Sequence, residues 1–306
     1  MKTILVTGGL GYIGSHICVL LLDLGYHVIV IDNLCNASYD VYNKIYQITN
    51  KHVILYTFDI GDKKMLKNIF LKYSIDHVIH LAGLKSVNES VQNPLLYYHN
   101  NVTTTVTLLR VMQKYGVNNI IFSSSATVYK PGNVILTEES PLGPINPYGH
   151  TKCMIEQILI DSNMNYTILR YFNPVGCHPT KLIGNFTGNN IMPKIYEAIK
   201  NNVPLSVFGN DYDTSDGTCV RDYIHVLDLA DAHIYFLNNN VKGIYNVGTG
   251  ISTSVLELVT KLNIPYVFTP RREGDTPMLV CSIDKMKKLG WTPKYNIEDI
   301  CKNIII

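Results

Sequence analysis

The stretch Val6-Thr-Gly-Gly-Leu-Gly-Tyr-Ile-Gly14 decides the fold. A short apolar run, Lys2 to Thr7, meets glycines spaced three apart, and a segment from Tyr12 to Leu24 follows. Its apolar residues Ile13, Ile17, Leu20, Leu21 and Leu24 recur at helical spacing. Strand, tight turn and helix therefore come in that order. Gly8 and Gly11 allow the backbone to turn sharply and approach a pyrophosphate, and Gly14 lets the helix lie close against the strand. The helix N terminus, with unpaired N–H groups and a partial positive charge, is where an anion settles. The next apolar run, His27 to Ile31, ends in Asp32, placed where a carboxylate can bond both hydroxyls of an adenosine ribose. That carboxylate would repel a 2′-phosphate, so the cofactor reads as NAD and not NADP.

Beyond Asp32 the pattern alternates. A helix is expected near 40–49, a strand at 53–58, a helix at 63–73, a strand at 77–81 and a long helical stretch over 94–115. The apolar run Ile120-Ile-Phe122 then leads into Ser123-Ser124-Ser125. Strands separated by helices predict an α/β protein with a doubly wound parallel (Rossmann) sheet. Ligands of such sheets bind outside the carboxyl ends of the strands, so Asp59, Ala82, Gly83, Ser125 and Thr127 are expected to converge. The loop from Lys130 to Pro147 holds four prolines and reads as a flap. A helix over 148–161 and a strand over 166–171 complete an NAD-binding domain, 1–173, which takes back roughly 221–250. Residues 174–306 read as a smaller, interleaved C-terminal α/β substrate lobe. Its helices are expected near 192–201, 227–238 and 254–262, and its strands near 205–208, 244–247 and 266–268.

Composition narrows the partners. The 306 residues are 46% apolar and 16% charged, with a net charge of +2, an ordinary globular balance. No Lys/Arg run exceeds two residues, which argues against nucleic acid or an acidic membrane as main partner. Seven cysteines without a C-x-x-C pair argue against a zinc site and a disulfide framework, and for reduced thiols in a cytoplasmic protein. Asp228, Asp231 and His233 invite a metal, but their helical spacing reads as a solvated face, so no metal is expected.

The chemistry lies in Tyr148-Gly-His-Thr-Lys152. Four residues apart on a helix, a phenol and an ammonium stand side by side, with Cβ atoms about 5–6 Å apart. A neighbouring cation lowers a tyrosine's pKa from about 10, and a positive nicotinamide would lower it further, so Tyr148 is expected to serve as a base near neutral pH. Ser125 can hydrogen-bond the same substrate oxygen and fix its orientation.

With Thr7-Gly-Gly-Leu-Gly-Tyr-Ile-Gly-Ser-His16, the stretches Asp32-Asn-Leu-Cys-Asn36, His80-Leu-Ala-Gly-Leu-Lys85, Ser123-Ser-Ser-Ala-Thr-Val-Tyr129, Arg170-Tyr-Phe-Asn-Pro-Val-Gly176, Phe208-Gly-Asn-Asp-Tyr212, Val220-Arg-Asp-Tyr-Ile-His225 and Arg271-Arg-Glu-Gly-Asp275 carry a resemblance over nearly the whole chain. It resembles the extended short-chain dehydrogenase/reductases, and among them the UDP-glucose 4-epimerase family. The resemblance implies an NAD site of Gly8, Gly11, Tyr12, Ile13, Gly14, Asp32, Asn33, Asn36, Asp59, Ile60, Leu81, Ala82, Gly83, Lys85, Asn100, Ser125, Tyr148, Lys152 and Phe172. It implies a UDP-sugar site of Lys85, Ser125, Thr127, Tyr148, Asn173, Asn190, Phe208, Arg221, Arg272, Asp275 and Leu279. The two arginines suit a diphosphate, although Arg221 beside Asp222 also reads as a surface ion pair. The implied reaction interconverts UDP-galactose and UDP-glucose through a 4-keto sugar, on a homodimer. Leu279, intermediate in size, leaves room for some turnover of UDP-N-acetylhexosamines. Two alternatives stay open: a nucleotide-sugar 4,6-dehydratase, disfavoured because Thr127 lies between Ala126 and Val128 with no carboxylate, and a non-catalytic NAD-binding protein, disfavoured because Tyr148 and Lys152 are both present. His150 stands where the family has a small residue and falls on another helical face, so it reads as a tolerated change.

Overall fold

A computed structural model describes residues 2–186, 190–272 and 274–304. Glu273, inside the Arg271–Asp275 stretch, lies outside them. The first half alternates strand and helix: β1 (Thr3–Thr7), α1 (Tyr12–Asp23), β2 (His27–Ile31), α2 (Asp40–Thr49), β3 (Ile54–Tyr56), α3 (Lys63–Lys72), β4 (His77–His80), α4 (Val87–Gln92), α5 (Pro94–Tyr97), α6 (Thr104–Lys114), β5 (Asn119–Ser125), α7 (Pro147–Asp161) and β6 (Asn165–Tyr171). A turn of π-helix, Tyr98–Thr103, joins α5 to α6, so the expected helix over 94–115 is broken in its middle. The second half continues with β7 (Asn173–Val175), α8 (Ile191–Asn201), β8 (Leu205–Phe208), β9 (Val220–Arg221), β10 (Tyr223–His225), α9 (Val226–Asn239), β11 (Gly243–Val247), β12 (Thr253–Ser254), α10 (Val255–Lys261), β13 (Tyr266–Thr269), β14 (Met278–Leu279), α11 (Asp284–Lys288) and α12 (Ile297–Ile304).

Seven strands form one sheet in the order β11-β6-β5-β4-β1-β2-β3, with β1, β2, β3, β4 and β5 paired in parallel. This is the doubly wound fold expected: the order turns back between β1 and β4, where ligands of such sheets bind. β1 and β2 are buried on both faces, which explains their unbroken apolar runs.

Contacts divide the chain into two units. The first comprises Met1–Val128, Pro144–Arg170 and Ala230–Tyr245; the second comprises Tyr129–Gly143, Tyr171–Leu229 and Asn246–Ile306. The sequence drew one boundary at 173, with 221–250 returning. The first unit is built on Leu5, Ile29, Val78, Leu108, Ile120, Leu159 and their neighbours, the second on Val175, Ile195, Val207, Leu258 and Ile300.

The proline-rich loop is not a free flap. Tyr129 donates to Asn246 Oδ1 at 2.6 Å, Asn246 donates to the Leu136 carbonyl at 3.0 Å, and Leu136 N–H donates to the Val280 carbonyl at 2.9 Å, all inside the second unit. Nor is the start of α9 a solvated face. His233 is fully buried, and buried Asp228 accepts the backbone N–H groups of Lys294 and Tyr295, each at 2.9 Å. A carboxylate that caps backbone donors gains enough to sit on a buried face, a partner that helical spacing cannot reveal. Among the described residues, no helix is long and apolar enough to cross a membrane.

Candidate active site

The glycine turn closes as its residues dictate. Gly8 has φ +70°, and a Cβ there would lie 2.8 Å from the backbone N of Ala82, so the chain after β4 runs against the turn. A Cβ on Gly14 would fall 2.2 Å from the Gly8 carbonyl oxygen. No side chain caps α1 at Gly11 among the described residues, which leaves its first turn suited to an anion. Asp32, at the end of β2, accepts Leu10 N–H at 3.0 Å and Leu34 N–H at 2.9 Å, one on each carboxylate oxygen. Each oxygen keeps a lone pair for a ribose hydroxyl. Burial pushes this carboxyl upward while the two amides pull it down. In the loop after β3, Asp59 accepts from Asn33 Nδ2 at 2.9 Å and from Gly61 N–H at 2.8 Å, so these residues form one rim, with Ile60 buried behind it. Asn36 is exposed on the loop after β2. Uncapped helix, close glycine turn and pinned carboxylate together fit a dinucleotide.

Leu81, Ala82, Gly83 and Lys85 follow β4, and Asn100 lies in the π-turn. Beside Asn100 is a residue the sequence reading missed. Asn101, 2% exposed, accepts Leu84 N–H at 2.8 Å and donates to the Leu84 carbonyl at 3.0 Å and to Thr151 Oγ1 at 3.1 Å. It ties the loop after β4 to α7. A polar residue inside a run read as regular helix gives no signal in the pattern; the π-turn that aims it inward is visible only in three dimensions.

The chemical groups stand where β5 faces α7. Asn146 caps α7, accepting Gly149 N–H at 2.8 Å, and Pro147 takes the first turn, where a missing N–H costs nothing. A Cβ on Gly149 would meet the Thr127 carbonyl oxygen at 2.6 Å, so glycine lets α7 start against the turn after β5. Lys152 is 5% exposed, donates to the Ser123 carbonyl at 2.6 Å, and lies 4.8 Å from the Phe122 ring centre and 5.9 Å from that of Tyr148. Ser125 Oγ accepts from Thr127 N–H at 3.2 Å and Thr127 Oγ1 at 3.0 Å, which frees its own proton for an oxygen in front of it. That hydrogen bond reaches Tyr148.

One expectation reverses. The Tyr148 phenol is raised above its ordinary pKa, because burial outweighs the Ser125 hydrogen bond. The whole residue keeps some exposed area, but the protein around the oxygen is dense and the direction follows that local environment. Lys152, buried in its turn, falls to about 8, partly held up by Glu156. Helical spacing brought the pair together, as the pattern said; what it could not show is that the ammonium reaches for a backbone carbonyl.

Of the expected substrate residues, Lys85, Ser125, Thr127 and Tyr148 belong to the first unit; Asn173, Asn190, Phe208, Arg221, Arg272, Asp275 and Leu279 belong to the second, as does Phe172, which is buried and donates its N–H to the Val247 carbonyl at 3.1 Å. Arg221, on β9, donates to the Val220 and Thr276 carbonyls at 2.9 and 2.8 Å and lies 3.9 Å from Asp275. It is not paired with Asp222. Asp222 is fully buried and accepts from Thr249 N–H at 2.7 Å, Thr249 Oγ1 at 2.8 Å and Gly250 N–H at 2.9 Å. The Arg272 guanidinium sits 3.7 Å from the centre of the Phe208 ring. Leu279 pairs with Arg221 in register, Asn173 donates to the Asp222 carbonyl at 3.2 Å, and exposed Asn190 precedes α8.

Comparison with known proteins agrees with this geometry. The NAD dependent epimerase/dehydratase family matches residues 4–248. A UDP-glucose 4-epimerase of Bacillus subtilis is 48% identical, over 97% of this chain and 94% of that relative. The crystal structure of a UDP-glucose 4-epimerase from Bifidobacterium longum in complex with NAD+ and UDP superposes with a TM-score of 0.94 at 42% identity, over 99% and 97% of the two chains. A UDP-Glc/GlcNAc 4-epimerase from Campylobacter jejuni gives 0.84 at 35% identity, over 99% and 98%.

Proposed function

Because the chain belongs to the NAD dependent epimerase/dehydratase family, we propose that it interconverts UDP-galactose and UDP-glucose at C4, as an NAD-dependent isomerase. The observation that carries this reading is the facing of Ser125, Tyr148 and Lys152 across β5 and α7 in the unit that holds the glycine turn. Tyr12, Ile13, Asp32, Asn33, Asp59, Ile60, Lys85 and Asn100 would hold NAD, with Tyr148 and Lys152 at its nicotinamide end. When bound, NAD supplies the hydride acceptor and donor for C4 and a positive ring beside the phenol.

The protein's own residues do the rest. Ser125, its lone pairs taken by Thr127, donates to the sugar oxygen and orients it. Tyr148 takes the proton of the 4-hydroxyl and returns it after the 4-keto sugar has turned over. Burial holds the phenol protonated until cations stand beside it, so base and oxidant are ready together. Arg221 and Arg272, with Phe208, Asn173, Asn190 and Asp275, would grip the uridine diphosphate and leave the sugar ring free to rotate. Leu279 suits some turnover of UDP-N-acetylhexosamines; no conversion of UDP-N-acetylglucosamine at millimolar substrate would dismiss that extension. A homodimer in the cytoplasm belongs to the same reading. It is supported by exposed Val91, Leu95 and Met154 on the mutually packed α4, α5 and α7, and by seven free cysteines. Incubation of the purified protein with UDP-galactose should yield UDP-glucose, and Tyr148→Phe should abolish it. Wild-type turnover in that variant would remove Tyr148 from the mechanism.

A further inference from the structure

The three consecutive serines at the end of β5 each take one residue of α7, and those residues are spaced four apart. Ser125 meets Tyr148, the Ser123 carbonyl accepts from Lys152 at 2.6 Å, and Ser124 Oγ donates to Glu156. The third contact belongs to no role assigned so far. Glu156 and Arg170 are each 2% exposed at the side chain, and the guanidinium reaches the carboxylate with Nε at 3.0 Å and Nη2 at 2.6 Å. Arg170 lies on β6, the strand next to β5. Glu156 therefore fastens α7 to two adjacent strands at once, one helical turn beyond Lys152. Every partner it has is a donor, which fits an ionised carboxylate.

We propose that Glu156 is a positioning residue for the epimerase reaction: held by Ser124 and Arg170, it fixes the rotation of α7 on β5 and sets an anion behind the Lys152 ammonium. The proposal rests on the epimerase reading for what Lys152 is needed for, and on the three serine contacts for its geometry. A purely structural pair would be a poor use of two buried charges, since apolar residues of similar volume do as well or better for stability. The surroundings of Lys152 show why an anion is needed there. Of the charged and titratable groups that face it, Tyr148 on α7 is neutral at rest, and His80 on β4, with a pKa near 3, carries no charge. Arg170 on β6 is a second cation, occupied by Glu156. That leaves Glu156 as the anion acting on Lys152, whose pKa burial lowers to about 8 and Glu156 partly holds up.

The test uses full-length protein with lysines labelled at 13Cε, the Lys152 signal being assigned with Lys152→Met. In wild type the signal should titrate near 8. Glu156→Gln should lower that midpoint by about one unit or more, the size of effect one nearby charge exerts. It should also move the alkaline limb of kcat for UDP-galactose downward by a similar amount, with KM within about twofold. If Glu156→Gln fails to fold because Arg170 is left unpaired, the double variant Glu156→Leu with Arg170→Met keeps the packing and removes both charges. It should fold and still show a lowered midpoint, by less than Glu156→Gln alone, because the Arg170 cation is removed as well. A midpoint and pH profile unchanged in a folded variant would overturn the proposal and leave the pair as a structural staple. Failure of wild type to convert UDP-galactose would instead strike at the epimerase reading, and the lysine titration would still decide the role of Glu156.

Discussion

The two units hold their functional groups in different ways. In the first, Tyr148, Lys152 and Glu156 ride on a helix of 15 residues and meet a strand of seven, and their partners are buried or half-buried. In the second, Arg221 sits on a strand of two residues, Asp275 on a loop, and Arg272 lies over Phe208. Chemistry at one carbon needs atoms held within a fraction of an ångström, and long elements with buried partners supply that. A diphosphate asks only for cations with the right reach, which short strands and loops can carry.

If that contrast is right, damage to the first unit should appear in kcat and damage to the second in KM. The largest effect is expected for Tyr148→Phe: kcat for UDP-galactose should fall by roughly 10²–10⁴-fold, the usual worth of a general base, with KM little changed. A rise in KM with kcat preserved would erase the distinction. Next, Arg221→Met and Arg272→Met should each raise KM by roughly 10–100-fold, since a hydrogen bond to a charged group contributes about 1.5–3 kcal/mol, while kcat stays within severalfold. A collapse of kcat alone would mean that the arginines touch the reacting centre. Smaller again, Asp32→Asn should weaken NAD by roughly tenfold and narrow the preference over NADP, because the repelling charge is gone. Equilibrium dialysis with each nucleotide measures both.

A separate effect, on stability and not on activity, touches both units through their buried histidines. His80, held by Thr7 at 2.7 Å and Thr105 at 2.8 Å, has its pKa lowered to about 3, and His225 to about 4, in both cases first by burial. Each stays neutral in the folded chain while the unfolded chain takes up a proton below pH about 6.5. The unfolded state then binds more protons, so stability falls as pH drops from 6.5 toward 4, by up to about 1.4 kcal/mol per pH unit for each histidine. Lys152 acts in the same sense at the other end: between about 8 and its ordinary value of 10.5, stability rises with pH. Urea denaturation at a series of pH values should show both slopes, and His80→Gln should flatten the acid one.

How much of this was legible follows the same division. Positions that depend on a local repeat could be read: the Gly8–Gly14 turn between strand and helix, Asp32 at a strand end, and Tyr148 one helical turn before Lys152. β8 appears at Leu205–Phe208, as its apolar run indicated. What depends on a distant partner could not be read. Arg221 stands beside Asp222 in the chain, yet Asp222 turns inward to Thr249 and Gly250, and the carboxylate nearest Arg221 comes from Asp275. Glu156 drew no reading from the sequence, because its partners Ser124 and Arg170 come from two strands. The raised Tyr148 pKa shows a third limit: spacing tells which charges are near, but not how much water has been removed.

The central claim is that the proton of the sugar 4-hydroxyl and the hydride of C4 leave by separate routes, the proton to Tyr148 and the hydride to a cofactor that returns it to the same molecule. UDP-galactose carrying deuterium at C4, turned over in ordinary water and read by proton NMR, tests this most directly. The account predicts UDP-glucose with the deuterium still at C4 and no reduced cofactor accumulating in solution. Deuterium lost to water, or carried away on released NADH, would contradict it.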